Sequence, residues 1–480
     1  MRSSAASIKS EQMLNAPIPS TLWSMTWPMI FGVLTLLSFN LVDTFFISLL
    51  GTESLAAIGF TFPVTFTIIS LTIGLGIGTS AVIARKLGAD DYEEARHCGS
   101  SALWLAASLV ALLALLGYLF SQPIFSMLGA SAEIQPLINQ YMNIWFAGAV
   151  FLVLPMVGNS ILRAAGDTKT PSLIMAAGGL TNAILDPILI FGWGPIPAMG
   201  MQGAAYASVG SWLIGFAAII YLLVWRNKLI DPIPPSVKEF LKYARQLMKI
   251  GLPAASANML TPIAMGILTA IVATHGAPAV AAFGAGARIE SIASVVILAL
   301  SMALPPFISQ NFGAGKIRRV QEAYKTALRF VLLMQAVMYL CMLALLPLIQ
   351  LAFARDAEVA RVLALFVWIM PIGYGLQGWI ILTNSSLNAL HLPIQALWLS
   401  IIRLFVMFVP LSWLGNTLFG LPGLFAGGVI ANVITAVIAY RWFMRETNGQ
   451  AGIIDKHTAA RLQKNAEANA QKPEGEQHGA

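Results

Sequence analysis

Arg226-Asn227-Lys228-Leu229-Ile230-Asp231-Pro232-Ile233-Pro234-Pro235 opens the longest polar interruption between apolar runs, and an amphipathic stretch from Val237 carries it on to Met248. Six apolar runs precede it, near residues 22–50, 56–84, 99–120, 137–158, 171–192 and 202–225. Six more follow, near 249–274, 281–308, 328–352, 361–384, 395–418 and 421–443. A spanning helix needs about 20 residues, so each run is long enough to cross a bilayer. The predicted fold is an all-α membrane protein of twelve transmembrane helices in two six-helix bundles. The predicted organisation is a segment 1–21, an N-lobe 22–225, a linker 226–248, a C-lobe 249–443 and a disordered tail 444–480 that is rich in Ala, Gln, Glu and Lys.

Composition agrees. Of 480 residues, 58% are hydrophobic and only 10% charged, against about 25% charged in a soluble domain. Mean hydropathy is +0.76. A water-soluble enzyme is excluded. The net charge of +7 would suggest a polyanionic partner in a soluble protein, but the basic residues are distributed by topology. With both termini in the cytoplasm, the inner segments collect Arg85, Lys86 and Arg96, then Arg226, Lys228, Lys238, Lys242, Arg245 and Lys249, then Lys316, Arg318 and Arg319. Only Arg355 and Arg361 fall in or beside an outer loop, with Arg288 near one. This is the positive-inside pattern, so no nucleic acid is expected. The first apolar run, from Leu22, is too long for a cleaved signal and is expected to remain as span one.

The two halves repeat with a constant shift of 225 residues. It carries Pro28 onto Pro253, Gly51 onto Gly276, 56–59 (Ala-Ala-Ile-Gly) onto 281–284 (Ala-Ala-Phe-Gly), Gly88-Ala89 onto Gly313-Ala314 and Asn159-Ser160 onto Asn384-Ser385. Six is even, so both halves enter the membrane in the same direction and are related by a pseudo-twofold axis along its normal. Carriers of this build place a cavity between the halves and rock one against the other.

Few ionisable residues interrupt the spans: Asp43, Asp186, Arg288, Glu290 and Arg403. A charge at mid-bilayer costs at least about 2.5–3.5 kcal/mol, so such residues face a cavity or a partner. Asn182 and Asp186 are four apart and share one helix face; Pro187 frees a backbone carbonyl beside them. Asp43 lies about seven residues, or about 10 Å, from the outer end of its span. Asp186 and Ser208 reach similar depths. Two carboxylates, an amide oxygen and a hydroxyl suit a hard cation such as Na⁺, and the same acids can take protons instead. Pro28, on the helix of Asp43, offers a place to bend. The bland readings are a helix-to-helix hydrogen bond for each acid, a static kink at Pro28 and small-residue packing at Ser208. Shifted by 225, Asp43 falls on Leu268 and Asp186 on Leu411, so this site belongs to the first half alone.

Other chemistry finds no support. Cys98 and Cys341 lie in different segments, and the five histidines are scattered. No Walker lysine motif accompanies Gly74, Gly76 and Gly78, which fit close helix packing. No enzymatic cluster and no cofactor are expected.

The sequence resembles the multidrug and toxic compound extrusion family over about residues 20–445. The resemblance rests on Val42-Asp43-Thr44, on Gly88-Ala89-Asp90, on 162–171 (Leu-Arg-Ala-Ala-Gly-Asp-Thr-Lys-Thr-Pro), on 182–187 and on 203–208. It implies a secondary antiporter that exports cationic or amphipathic organic compounds in exchange for Na⁺ or H⁺ by a rocker-switch motion. The family's cation site falls on Asp43, Asn182 and Asp186, and its span-six threonine on Ser208, which keeps the hydroxyl. Acids that some branches carry in spans seven and ten are missing from 249–274 and 361–384. The expectation is a monomeric multidrug efflux antiporter of the inner membrane, with small organic cations or drugs and the bilayer as its partners. The alternative is a flippase for a lipid-linked precursor.

Overall fold

Helix boundaries fall where the backbone can leave the helical region or where a side chain caps an open N-terminus. A computed structural model describes residues 5–353 and 356–470, with side chains over 9–39, 41–353 and 356–449. A short helix, α1 (Ala5–Asn15), leads into α2 (Ile18–Ser48), α3 (Thr52–Gly88) and α4 (Tyr92–Leu119). After the short α5 (Ser121–Met127) come α6 (Gln135–Ala164), α7 (Lys169–Phe191) and α8 (Gly200–Tyr221), completing the first bundle. Asp91 caps α4 by accepting from Glu94 N at 3.2 Å, satisfying one of the N–H groups that a helix start leaves open.

The second bundle begins with α9 (Val237–Ala273), so the amphipathic stretch after the linker prolines is the first part of span seven. Ser236 and Glu239 form a reciprocal capping box at its start. Span eight consists of α10 (Ala277–Ala293) and α11 (Val295–Gly313), interrupted at Ser294. Span nine is α12 (Ile317–Ala344), followed by the short α13 (Leu346–Phe353). Span ten joins α14 (Ala357–Ile369) to α15 (Tyr374–Ala389) through a 3₁₀ turn at Met370–Gly373. Span eleven starts as α16 (Pro393–Ile401), widens into a π turn at Ile402–Phe408 and continues as α17 (Val409–Ala470), which also contains span twelve. The chain reverses inside α17 at Gly420, where φ is +65°.

The spans expected near 281–308, 361–384 and 395–418 are present, each as a helix with an interruption. Two breaks have a sequence cause: Pro371 sits in the 3₁₀ turn and Pro410 follows the π turn, and proline removes the N–H that would close an ordinary turn. The tail expected to be disordered is helical as far as Ala470. Arg355, residues 1–4 and residues 471–480 lie outside the described residues.

The repeat is written in the backbone. Positive φ angles occur in pairs 225 residues apart: Gly51 (113°) with Gly276 (93°), Asp90 (59°) with Gly315 (74°), and Gly166 (82°) with His391 (62°). The seam between the bundles closes at the end that carries α1 and the linker. There a methyl group at Gly88 would collide with the Gln310 carbonyl, and one at Gly313 with the Arg85 carbonyl. Arg85 and Gln310 are themselves 225 apart, so the closure is one contact made twice by the pseudo-twofold axis. Side chains reinforce it: Ser309 Oγ donates to Ala81 O at 2.7 Å, and Gln310 Nε2 to Ala164 O at 2.7 Å.

Candidate functional site

Helix α2 crosses between the two bundles. Ile18, Leu22 and Met25 are buried in the second bundle's core with Ile308 and Val320. Just past Pro28, Met29, Ile30 and Val33 pack with Val295 and Ala299 of α11, still against the second bundle. From there the outer part closes on α7. Gly32 lies against Ser172, where a Cβ would come 3.1 Å from its Cα, and Gly179 accommodates the Phe39 ring. Absent side chains let the helices approach at these points.

That crossing brings Asp43 to Asp186. The two carboxyl groups are close enough to interact electrostatically. Asp186 is 0% exposed and its Oδ1 accepts from Asn182 Nδ2 at 3.2 Å, one helical turn back. Asp43 Oδ1 and Asp186 Oδ2 have no hydrogen-bond donor. Two ionised carboxylates this near each other repel in a low-dielectric interior, and a proton or a cation would relieve that repulsion. Pro187 follows Asp186 without interrupting α7. It leaves the Ala183 carbonyl without its helical donor, one more oxygen on the Asn182 side.

Ser208 is also buried, at 9% exposure. Its carbonyl accepts from Ser211 Oγ at 2.7 Å, and its side chain lies near the hydroxyl of Tyr141. Tyr141, on α6, stands within electrostatic reach of both acids. Sequence reading missed it. A tyrosine in an apolar run carries no charge signal, and only the α6–α8 packing turns it toward the pair. The structure therefore brings Asp43, Asn182 and Asp186 together and places Ser208 beside Tyr141, within electrostatic range of both acids. Pro28 lies inside α2 with the helix unbroken around it.

In the second bundle, Arg288 is exposed, whereas Glu290 accepts from Gln377 Nε2 at 2.8 Å. Arg403 occupies the π turn of span eleven and faces Glu290 electrostatically. Among the described residues no group of three or more His, Cys, Asp or Glu is arranged to hold a metal ion; the Asp43–Asp186 pair is smaller than such a cluster.

Among the described residues, eleven helices are long and apolar enough to cross a membrane. One of them, Pro393–Gly449, doubles back at Gly420 and supplies two spans, which gives twelve. Comparison with known proteins agrees with this architecture. The MatE family model matches residues 28–188 and 253–414, two segments that begin at the repeat partners Pro28 and Pro253. The chain is 40% identical over 428 residues to the FAD transporter of Shewanella oneidensis, covering 89% of this chain and 95% of that protein. It is 26% identical over 445 residues to the multidrug export protein MepA of Staphylococcus aureus, covering 90% and 95%. The crystal structure of the Vibrio cholerae MATE transporter VcmN in its bent form superposes with a TM-score of 0.85 at 34% identity, covering 92% of this chain and 99% of that one. With twelve spans in two repeated bundles and this match across both halves, the chain belongs to the MatE family of multidrug and toxic compound extrusion transporters.

Proposed function

We propose that this transporter is a secondary active efflux antiporter that moves cationic or amphipathic organic compounds out of the cell in exchange for H⁺ or Na⁺. The proposed cation site is Asp43, Asn182, Asp186 and Ser208, with Tyr141 beside it. The observation that carries this reading is the approach of Asp43 to a fully buried Asp186 on a helix, α2, that also packs in the other bundle. Neutralising the pair lets α2 seat against α7; emptying it sets the two acids against each other and loosens the same contact. Occupancy thereby biases the packing of one bundle against the other, as alternating access demands. The nearness of the two carboxyls favours H⁺, because one bound proton relieves the repulsion between them.

In this reading the linker end faces the cytoplasm, the chain sits in the inner membrane as a monomer and Pro28 is the bend. A membrane potential adds about 2.3 kcal/mol per charge per 100 mV, enough to drive the switch. A second substrate reading, a flavin dinucleotide, is favoured by the 40% identity to a relative named for FAD transport.

The test uses proteoliposomes loaded separately with a fluorescent cationic dye and with FAD, under an imposed pH gradient or an imposed Na⁺ gradient. Efflux driven by the pH gradient and lost in Asp43→Asn and Asp186→Asn supports the reading. Efflux that ignores both gradients, or that survives both substitutions, rejects it.

A further inference from the structure

Helix α1 lies across the closed seam and holds both bundles. Toward the first bundle, Lys9 Nζ meets Asp167 Oδ2 at 3.0 Å, and the Lys9 and Met13 side chains lie against Gly166. Asp167 is anchored in turn, accepting from Thr170 N at 3.2 Å and from Thr170 Oγ1 at 2.7 Å. Toward the second bundle, Ser10 Oγ donates to Gln310 Oε1 at 2.9 Å. The carbonyls at the end of α1 and just beyond it, which a helix leaves without internal donors, find them on α11 and α12. Asn311 Nδ2 donates to Met13 O at 3.2 Å, Lys316 Nζ to Leu14 O at 3.1 Å, and Arg319 to the carbonyls of Met13 and Ala16. Two of these three donors are cations, the charge that a helix C-terminus attracts. Ser10 and Met13 are each 2% exposed, so this is a packed strap rather than a surface contact.

Gln310 is the junction. Its amide nitrogen ties the second bundle to Ala164 O of the first, and its amide oxygen ties the seam to Ser10 of the strap. Lifting α1 strips a partner from a residue with 0% exposure and leaves the carbonyls of Met13, Leu14 and Ala16 without these donors, so the strap and the seam favour each other. Burial alone would raise the Asp167 carboxyl; Thr170 and Lys9 outweigh it and hold the group below its usual value, keeping the Lys9 clasp charged at neutral pH.

We propose that α1 is an inner latch that stabilises the conformer closed at the linker end and must release Asp167 and Gln310 before that end opens. The proposal rests on the alternating-access reading above. It is tested by a readout of opening that does not require coupled transport. In a Cys98→Ala/Cys341→Ala background, Ser309→Cys places a reporter thiol in the closed seam, where a membrane-permeant maleimide reaches it only on opening. Lys9→Ala is expected to label up to about 5-fold faster than the parent, the scale of a partly exposed ion pair, and separately a chain lacking residues 2–15 about 5- to 30-fold faster. Lys9→Arg should label like the parent. In a second experiment, oxidation of a Ser10→Cys/Gln310→Cys pair should stop efflux, and reduction of the same sample should restore it.

Unchanged labelling in Lys9→Ala and in the shortened chain, or full efflux from the oxidised pair, would overturn the latch. If instead the labelling responds while efflux follows neither ion gradient, the coupling reading fails and the latch stands.

Discussion

Pro28 and Asp43 share one unbroken helix, α2, and the bundle against which that helix packs changes between them. On the Pro28 side its neighbours are Val295 and Ala299 of the second bundle; at Asp43 the neighbour is Asp186 of the first. A load at one end of α2 therefore reaches the other bundle along one continuous helix, with Pro28 on the second-bundle side of the change of partner.

Substitution at the acid pair should uncouple transport. Asp43→Asn and Asp186→Asn each remove a carboxylate and leave a neutral amide, so ion occupancy no longer changes the charge of the site as it did. Gradient-driven dye efflux in proteoliposomes is expected to fall at least about tenfold, the scale of a 1.4 kcal/mol loss of coupling. Ser208→Thr should retain activity, and Ser208→Ala should weaken it less than either acid substitution.

The doubled glycine contact should tolerate no methyl group. Gly88→Ala and Gly313→Ala each drive a Cβ into a backbone carbonyl, which cannot rotate away as a flexible side chain would. Either is expected to destabilise the closed seam by about 1–3 kcal/mol, read as faster Ser309→Cys labelling. Gly59→Ala, with nothing within 4 Å of the new atom, serves as the control and should label like the parent.

Acid should open the same seam through His391. Its Nε2 lies 3.2 Å from Ala81 O. Burial first, then the positive Arg85, push the imidazole down to about 4, with Lys249 and Lys86 adding to the effect and the Ala81 carbonyl opposing it. A closed seam thus holds the ring neutral, whereas an opened and hydrated ring regains its ordinary affinity near 6.5. The contribution to closure is complete above about pH 6.5 and declines as pH falls toward about 4, by up to about tenfold per unit. Labelling of Ser309→Cys in an Asp43→Asn/Asp186→Asn background, divided at each pH by that of the same protein unfolded in denaturant to remove the falling thiolate fraction, should rise over that window and flatten in His391→Asn.

Straightening α2 should slow turnover without unfolding the protein. Pro28→Ala restores the missing backbone donor inside the helix, so thermal stability is expected to hold or rise. Efflux should fall severalfold if bending at this point is part of the cycle. Wild-type efflux from a stably folded Pro28→Ala protein would show that the proline is only a fixed kink.

The sequence by itself determined the number of spans, their grouping into two parallel halves and the identity of the acids worth attention. Those depend on apolar run length, on a 225-residue register and on the high cost of burying a carboxylate, all of which are local or strictly periodic. Only the packing shows that Asp43 approaches Asp186, that Tyr141 lies near Ser208 and the pair, that α1 straps the seam and that spans eight, ten and eleven are interrupted. A seam glycine such as Gly88 reads the same in sequence as a packing glycine anywhere else. It becomes a closure point only when Gln310, more than two hundred residues away, is brought against it. Proximity of that kind depends on how twelve apolar helices share their faces, and hydrophobicity along a lipid-embedded chain does not distinguish one face from another.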